Sequence, residues 1–135
     1  MKKSKTKKPL LLNPLCEAVM HNEEYSFQAL IQQPGIDIDG RDYNNLTPLW
    51  YAAYNGRVYM AKELLDHGAD IEFRDAYGNT ILLTACSACK GDDVELINLL
   101  IAYGADINAE NNYGVSPKSF AKTTLDFPEV EAFKD

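Results

Sequence analysis

The sequence has no long apolar run, because no stretch approaches the roughly 18–20 apolar residues that a membrane-spanning helix needs. Near the basic start only residues 10–12 are apolar before Asn13 and Pro14, whereas a secretory signal needs about 7–15 apolar residues. Hydrophobic residues still make up 46% of the 135, enough for one folded domain with a core. We therefore expect one soluble domain that is neither exported by this route nor inserted in a membrane.

Cysteine and histidine are also scarce. The three cysteines, Cys16, Cys86 and Cys89, are an odd number without an export signal, which is typical of reduced thiols and predicts a cytoplasmic location. Only His21 and His67 could act as acid or base near neutral pH, and no nucleophile-elbow, phosphate-loop, dinucleotide or zinc-protease motif occurs. We expect no enzyme activity, cofactor, metal or small-molecule substrate.

One spacing leaves an alternative open. Cys86 and Cys89 form a C-x-x-C pair, which occurs in redox and metal proteins. A zinc site needs a second pair of ligands, and neither Cys16 nor a nearby histidine clearly supplies one. Cys86 is expected to be structural, and Cys89 is a candidate for an oxidisable thiol.

Basic residues are absent from most of the chain. Five of the 13 lie in the first eight residues (Lys2, Lys3, Lys5, Lys7 and Lys8), which leaves 8 basic and 20 acidic side chains in the other 127, a net charge of −12. Such a body repels a phosphate backbone and attracts a basic protein, unless its acidity serves only solubility. The lysine-rich start is either a disordered tail or a contact for nucleic acid or anionic lipid.

An internal repeat organises the chain. The segment from Asp70 to Thr80 has a counterpart 33 residues earlier, at 37–47, and another 36 residues later, at 106–116. Between these copies, apolar residues recur at helical spacing in pairs of short stripes, such as Leu49, Ala52 and Ala53, then 58–65. The pattern predicts repeated helix–turn–helix units that bury their stripes only by stacking.

The run Thr47-Pro48-Leu49-Trp50-Tyr51-Ala52-Ala53, followed by Gly56, residues 64–65, 68–71 and 75–78, resembles an ankyrin repeat. The resemblance implies an all-α solenoid with short β-hairpin fingers. The predicted parts are a disordered tail over 1–11 and an ankyrin domain over 12–135, with repeats at about 13–46, 47–79 and 80–115 and a C-terminal cap at 116–135.

The sequence departs from the family pattern in three places. No copy keeps the histidine of the family's T-P-L-H motif, since Trp50 stands there in the second repeat. The third repeat carries three extra residues around 88–93, where Asp92 or Asp93 is a candidate helix cap. In the last unit Lys118 and Lys122 replace core residues, as expected of a cap whose outer face meets water. A short helix over 127–133 is predicted to close the stack.

The resemblance implies that hairpin tips and the exposed side of each first helix form a concave surface for a partner. Rigid aromatics with arginine and asparagine are typical of interface hot spots. The predicted binding residues are Arg41, Tyr43, Asn44, Trp50, Tyr51, Tyr54, Asn55, Arg74, Tyr77, Asn79, Thr84, Ser87, Asn112 and Tyr113. Trp50 is equally explained by packing between neighbouring fingers, and Asp42 and Asp75 by turn formation rather than by an acidic rim.

We therefore predict a monomeric, non-enzymatic module that binds a basic protein partner. Within this class the small acidic stack favours a bacterial inhibitor or immunity protein that covers a toxin or enzyme. A regulatory adaptor or scaffold in a signalling complex is the alternative.

Overall fold

A computed structural model describes residues 13–89, 94–123, 127 and 129–134. The described chain contains short helices, each of seven to nine residues, and a final turn of 3-10 helix. They are α1 (Pro14–Met20), α2 (Glu24–Ile31), α3 (Pro48–Asn55), α4 (Val58–Asp66), α5 (Ile81–Ala88), α6 (Glu95–Ala102), α7 (Pro117–Thr123) and the 3-10 turn Glu131–Phe133. None of these helices is long and apolar enough to cross a membrane.

Capping residues fix where the first helix of each repeat begins. The side chain of Asn13 accepts hydrogen bonds from the backbone at the start of α1, and Thr47 and Thr80 do the same for α3 and α5. Each bond satisfies an amide that has no partner within the helix. Gly56 ends α3 in the left-handed region at φ 70°, a conformation that costs glycine little.

The helices stack in two layers. The first helices α1, α3, α5 and α7 contact one another in order, and the second helices α2, α4 and α6 form the outer layer. Large side chains between the layers, such as Phe27, Leu49, Leu64, Leu82 and Leu100, are completely or almost completely buried. This arrangement confirms the predicted all-α repeat stack, in which each pair of helices covers the apolar stripe of its neighbour.

Arginine side chains join consecutive repeats. The Arg57 guanidinium, between α3 and α4, donates to the backbone oxygens of Val19 and Met20 at the end of α1, at 3.1 and 2.9 Å. The Arg41 guanidinium lies 5.1 Å from the ring centroid of Phe73, in the next repeat. Both contacts cross a repeat boundary, one by satisfying helix-end carbonyls and the other by cation–π attraction.

The fingers differ from the prediction. They are tight turns, and the described residues contain no strand, only one antiparallel bridge between Arg74 and Thr80. In each turn one backbone bond closes the loop, as between the Asp75 N–H and the Asn79 carbonyl at 3.1 Å. The other turn amides bond to a side chain instead of a facing strand, so no ladder extends beyond the tip.

The C-terminal cap also differs in detail. Lys118 and Lys122 are half-buried and exposed, as expected for an outer face. The predicted helix over 127–133 is only the 3-10 turn, where Phe127, Val130 and Phe133 are buried. The lysine-rich tail and the candidate caps Asp92 and Asp93 lie outside the described residues, so those predictions and the domain boundaries stay predictions.

Candidate binding surface

The finger turns are held by side chains of one type at one repeat position. Asp75 Oδ1 accepts the backbone N–H groups of Tyr77 and Asn79, at 2.9 and 3.0 Å. Asp42 and Asn111 hold the turns of the first and third repeats in the same way. These Asx turns confirm the turn-forming role foreseen for the two aspartates, and they fix the backbone of the fingertips.

Neighbouring fingers are bonded to each other. The Arg74 guanidinium donates to the carbonyls of Gly78 in its own finger and of Glu110 in the next, at 3.2 and 2.6 Å. The Asn112 N–H donates to the Tyr77 carbonyl at 3.0 Å, while the side-chain amide of Asn111 donates to Asn79 at 2.8 Å. The second and third fingers therefore form one hydrogen-bonded unit.

Trp50 lies between α3 and the next finger. Its indole N–H donates to Asp75 Oδ2 at 3.3 Å, and its ring stacks on Tyr54 with centroids 5.0 Å apart and planes 11° apart. Trp50 is half-buried, whereas 56% of Tyr54 stays exposed. The structural explanation for Trp50 is thus realised, and its stacking holds Tyr54 in a fixed position on the surface.

Two predicted binding residues are wrong, because Tyr51 and Thr84 are buried, with 6% and 4% exposed. The Tyr51 hydroxyl donates to Asp42 Oδ2 at 2.5 Å and accepts from the Asn44 amide at 3.1 Å. Burial, followed by the hydrogen bond to Asp42, raises the pKa of the Tyr51 hydroxyl. Thr84 occupies the same repeat position, 33 residues later. This position supports the core and presents nothing to a partner.

The other predicted residues reach the surface. The exposed ones are Arg41, Tyr43, Asn44, Tyr54, Arg74, Tyr77, Ser87, Asn112 and Tyr113, and the half-buried ones are Trp50, Asn55 and Asn79. We call the exposed side chains of the finger turns and of α3 the finger surface. Its large aromatics are Tyr43, Tyr54, Tyr77 and Tyr113, each at least half exposed.

Sequence reasoning did not single out Tyr25, which is 90% exposed at the N-terminal end of the stack. Tyr25 and Ala29 line an apolar groove of about 660 Å³ between α1 and α2. The signal was available, because Tyr25 lies off the buried stripe of α2 that begins at Phe27.

The thiols do not form a reactive centre. Cys86 is buried, and that burial raises its pKa to about 12, so the reactive thiolate is disfavoured. Cys16 is buried as well, while Cys89 is half-buried. The described ranges contain no group of three or more His, Cys, Asp or Glu side chains that could hold a metal ion.

Comparison with known proteins places this arrangement among relatives. A family model described as ankyrin repeats (3 copies) matches residues 15–111. The ankyrin repeat and SOCS box protein 5 of Oryctolagus cuniculus is 36% identical over 74% of this chain and 29% of its own length. The ankyrin repeat, SAM and basic leucine zipper domain-containing protein 1 of Dasypus novemcinctus is 37% identical over 64% and 18%.

A probable palmitoyltransferase of Saccharomyces uvarum is 39% identical over 57% of this chain but only 10% of its own length. The chain thus spans between about a tenth and three tenths of these curated relatives.

Proposed function

This chain belongs to the ankyrin-repeat family, and on that basis we propose that it binds another protein through its finger surface and catalyses no reaction. Ankyrin repeats form protein–protein interaction modules that are generally not enzymatic. The observation that supports the finger surface is the set of exposed tyrosines on a hydrogen-bonded scaffold. Tyr54 is stacked on Trp50, and Tyr77 lies in a turn held by Asp75.

The energetics favour binding by a rigid surface. Tyrosine buries a large area while losing few rotatable bonds, so it contributes much to affinity at low entropy cost. The inter-finger hydrogen bonds fix the backbone beneath it before a partner arrives. Little further ordering is then required on binding, which lowers the free-energy cost of association.

Charge supports a basic partner. The chain without its first eight residues carries a net charge of −12. Of the basic side chains that the structure describes, Arg57 and Arg74 donate to backbone carbonyls and Lys62 pairs with Asp66. Association with a basic protein is therefore expected to be fast at low ionic strength and slower in salt.

A steric inhibitor is the finer proposal. A rigid acidic surface that covers a basic toxin or enzyme needs no conformational change of its own. The adaptor is the alternative, and the names of the two animal relatives favour it, because each places ankyrin repeats beside a SOCS box or a SAM domain. The redox alternative at Cys86 and Cys89 receives no support from the burial of Cys86.

Affinity capture from the source organism tests the proposal. Wild-type protein is compared with Tyr54→Ala/Tyr77→Ala, and with Tyr25→Ala/Tyr103→Ala, which removes two exposed tyrosines from the second helices. We expect a basic protein that the wild type and the second variant retain and the first variant loses, with all three folded by circular dichroism. Retention by the first variant contradicts the assignment of the finger surface. The identity of the captured protein separates an inhibitor from an adaptor.

A further inference from the structure

A groove of about 480 Å³ borders the finger surface where α3 and α5 end. Tyr54, Asn55 and Gly56 line it from α3, and Ala85 and Ala88 line it from α5. The groove takes its shape from the difference between the two repeats, because Asn55 of α3 corresponds to the much smaller Ala88 of α5. It is an open slot beside the most rigidly held tyrosine of the surface.

One wall of the groove is aromatic. Tyr54 stacks on Trp50 at a centroid distance of 5.0 Å, and it also lines the groove. With one ring face against Trp50 and 56% of the residue exposed, the opposite ring face is open to a ligand. The face of an aromatic ring carries negative charge density and attracts cations.

The rest of the groove favours positive charge as well. The last turns of α3 and α5 both border it, and the C-terminal end of a helix carries partial negative charge on its unpaired carbonyls. The Asn55 side chain donates its N–H to the Tyr51 carbonyl at 2.9 Å, while no described residue donates to its amide oxygen. That oxygen is an acceptor for an incoming donor.

We propose, building on the proposed function, that this groove binds an arginine side chain of the protein partner. A guanidinium is planar and weakly hydrated, so it can stack on the open face of Tyr54 while its N–H groups bond to Asn55 and to the carbonyls at the helix ends. A lysine ammonium is more strongly hydrated and lacks the plane that stacks. The net charge of −12 outside the first eight residues draws such a cation towards the surface.

Nuclear magnetic resonance tests the site without knowledge of the partner. Trp50 is the only tryptophan, so its indole N–H gives one resonance that needs no assignment. The probe is N-acetyl-arginine amide, titrated into the full chain. We expect a saturable shift of the indole resonance, and binding about tenfold weaker for the citrulline amide, which has nearly the same shape but no charge. The lysine amide should bind less tightly than the arginine amide.

Variants locate the binding. Tyr54→Ala should weaken the arginine amide about tenfold, while Tyr54→Phe keeps the ring and the binding, and Tyr113→Ala, at a distant exposed tyrosine, changes nothing. No saturable shift, equal binding of the citrulline or lysine amide, or unchanged binding by Tyr54→Ala would each overturn the proposal. If these fail while protein capture still depends on Tyr54 and Tyr77, the finger surface binds its partner without reading an arginine. Loss of that dependence refutes the proposed function instead.

Discussion

Gly78→Ala is the substitution that most directly tests the contact between the second and third fingers. Gly78 is buried at the tip of the second finger with φ +80°, in the left-handed region that disfavours a side chain. A Cβ at this position would lie 2.9 Å from the backbone nitrogen of Asn112 and would overlap its side chain. The third finger would have to move, because a backbone atom cannot rotate away.

The size of the effect follows from two contributions. The left-handed conformation costs alanine about 1–2 kcal/mol relative to glycine. Displacing Asn112 also breaks its 3.0 Å hydrogen bond to the Tyr77 carbonyl, which contributes about 1 kcal/mol. We expect Gly78→Ala to lower the free energy of unfolding by about 3 kcal/mol in total.

Gly114→Ala is a matched control. Gly114 lies at the same position of the third finger with φ +79°, but an added Cβ would meet no atom within 4 Å. It should therefore show only the conformational cost of about 1–2 kcal/mol. Urea unfolding followed by circular dichroism measures both variants. Equal losses for Gly78→Ala and Gly114→Ala would refute the contact between the fingers.

Two further predictions concern buried groups. Tyr51→Phe removes a donor to the buried Asp42 carboxylate and should cost about 2 kcal/mol in urea unfolding, whereas Tyr77→Phe, with an exposed hydroxyl, stays within about 0.5 kcal/mol of the wild type; a neutral Tyr51→Phe would contradict the role of the bond. Burial raises the pKa of Cys86 to about 12 from 9.0 and also raises the pKa of Cys16, so above about pH 9 only the unfolded chain releases these protons. Stability present below that pH should fall by roughly 2 kcal/mol by pH 10, and Cys16→Ala/Cys86→Ala should lessen the dependence of the urea midpoint on pH; an unchanged midpoint in the wild type would contradict the burial of both thiols.

Much of the fold was predictable because its determinants are local. Thr47 caps α3 through a bond to an amide three residues away, and the apolar stripe of Leu49, Ala52 and Ala53 needs only helical spacing to be recognised. The repeat at 33 residues then predicts the stacking, since no single pair of helices can bury its own stripe.

The surface was less predictable because it depends on contacts between distant residues. Tyr51 and Tyr54 are three residues apart in one helix, yet one is buried and the other exposed. What separates them is Asp42, which binds the Tyr51 hydroxyl from the preceding finger. Residue type gave no sign of this difference, and the error recurs at Thr84 because it is the same repeat position. The strand-like fingers failed for a related reason, since side-chain acceptors compete with backbone pairing.

The three arginines of the chain, Arg41, Arg57 and Arg74, each reach across a boundary between consecutive repeats. In a linear stack, stability is a sum of one contribution for each repeat and one for each boundary. Strong boundaries make it costly for an end repeat to unfold while its neighbour stays folded. The arginines therefore favour all-or-none unfolding of the whole stack over fraying from its ends, which keeps partly open and protease-sensitive forms rare.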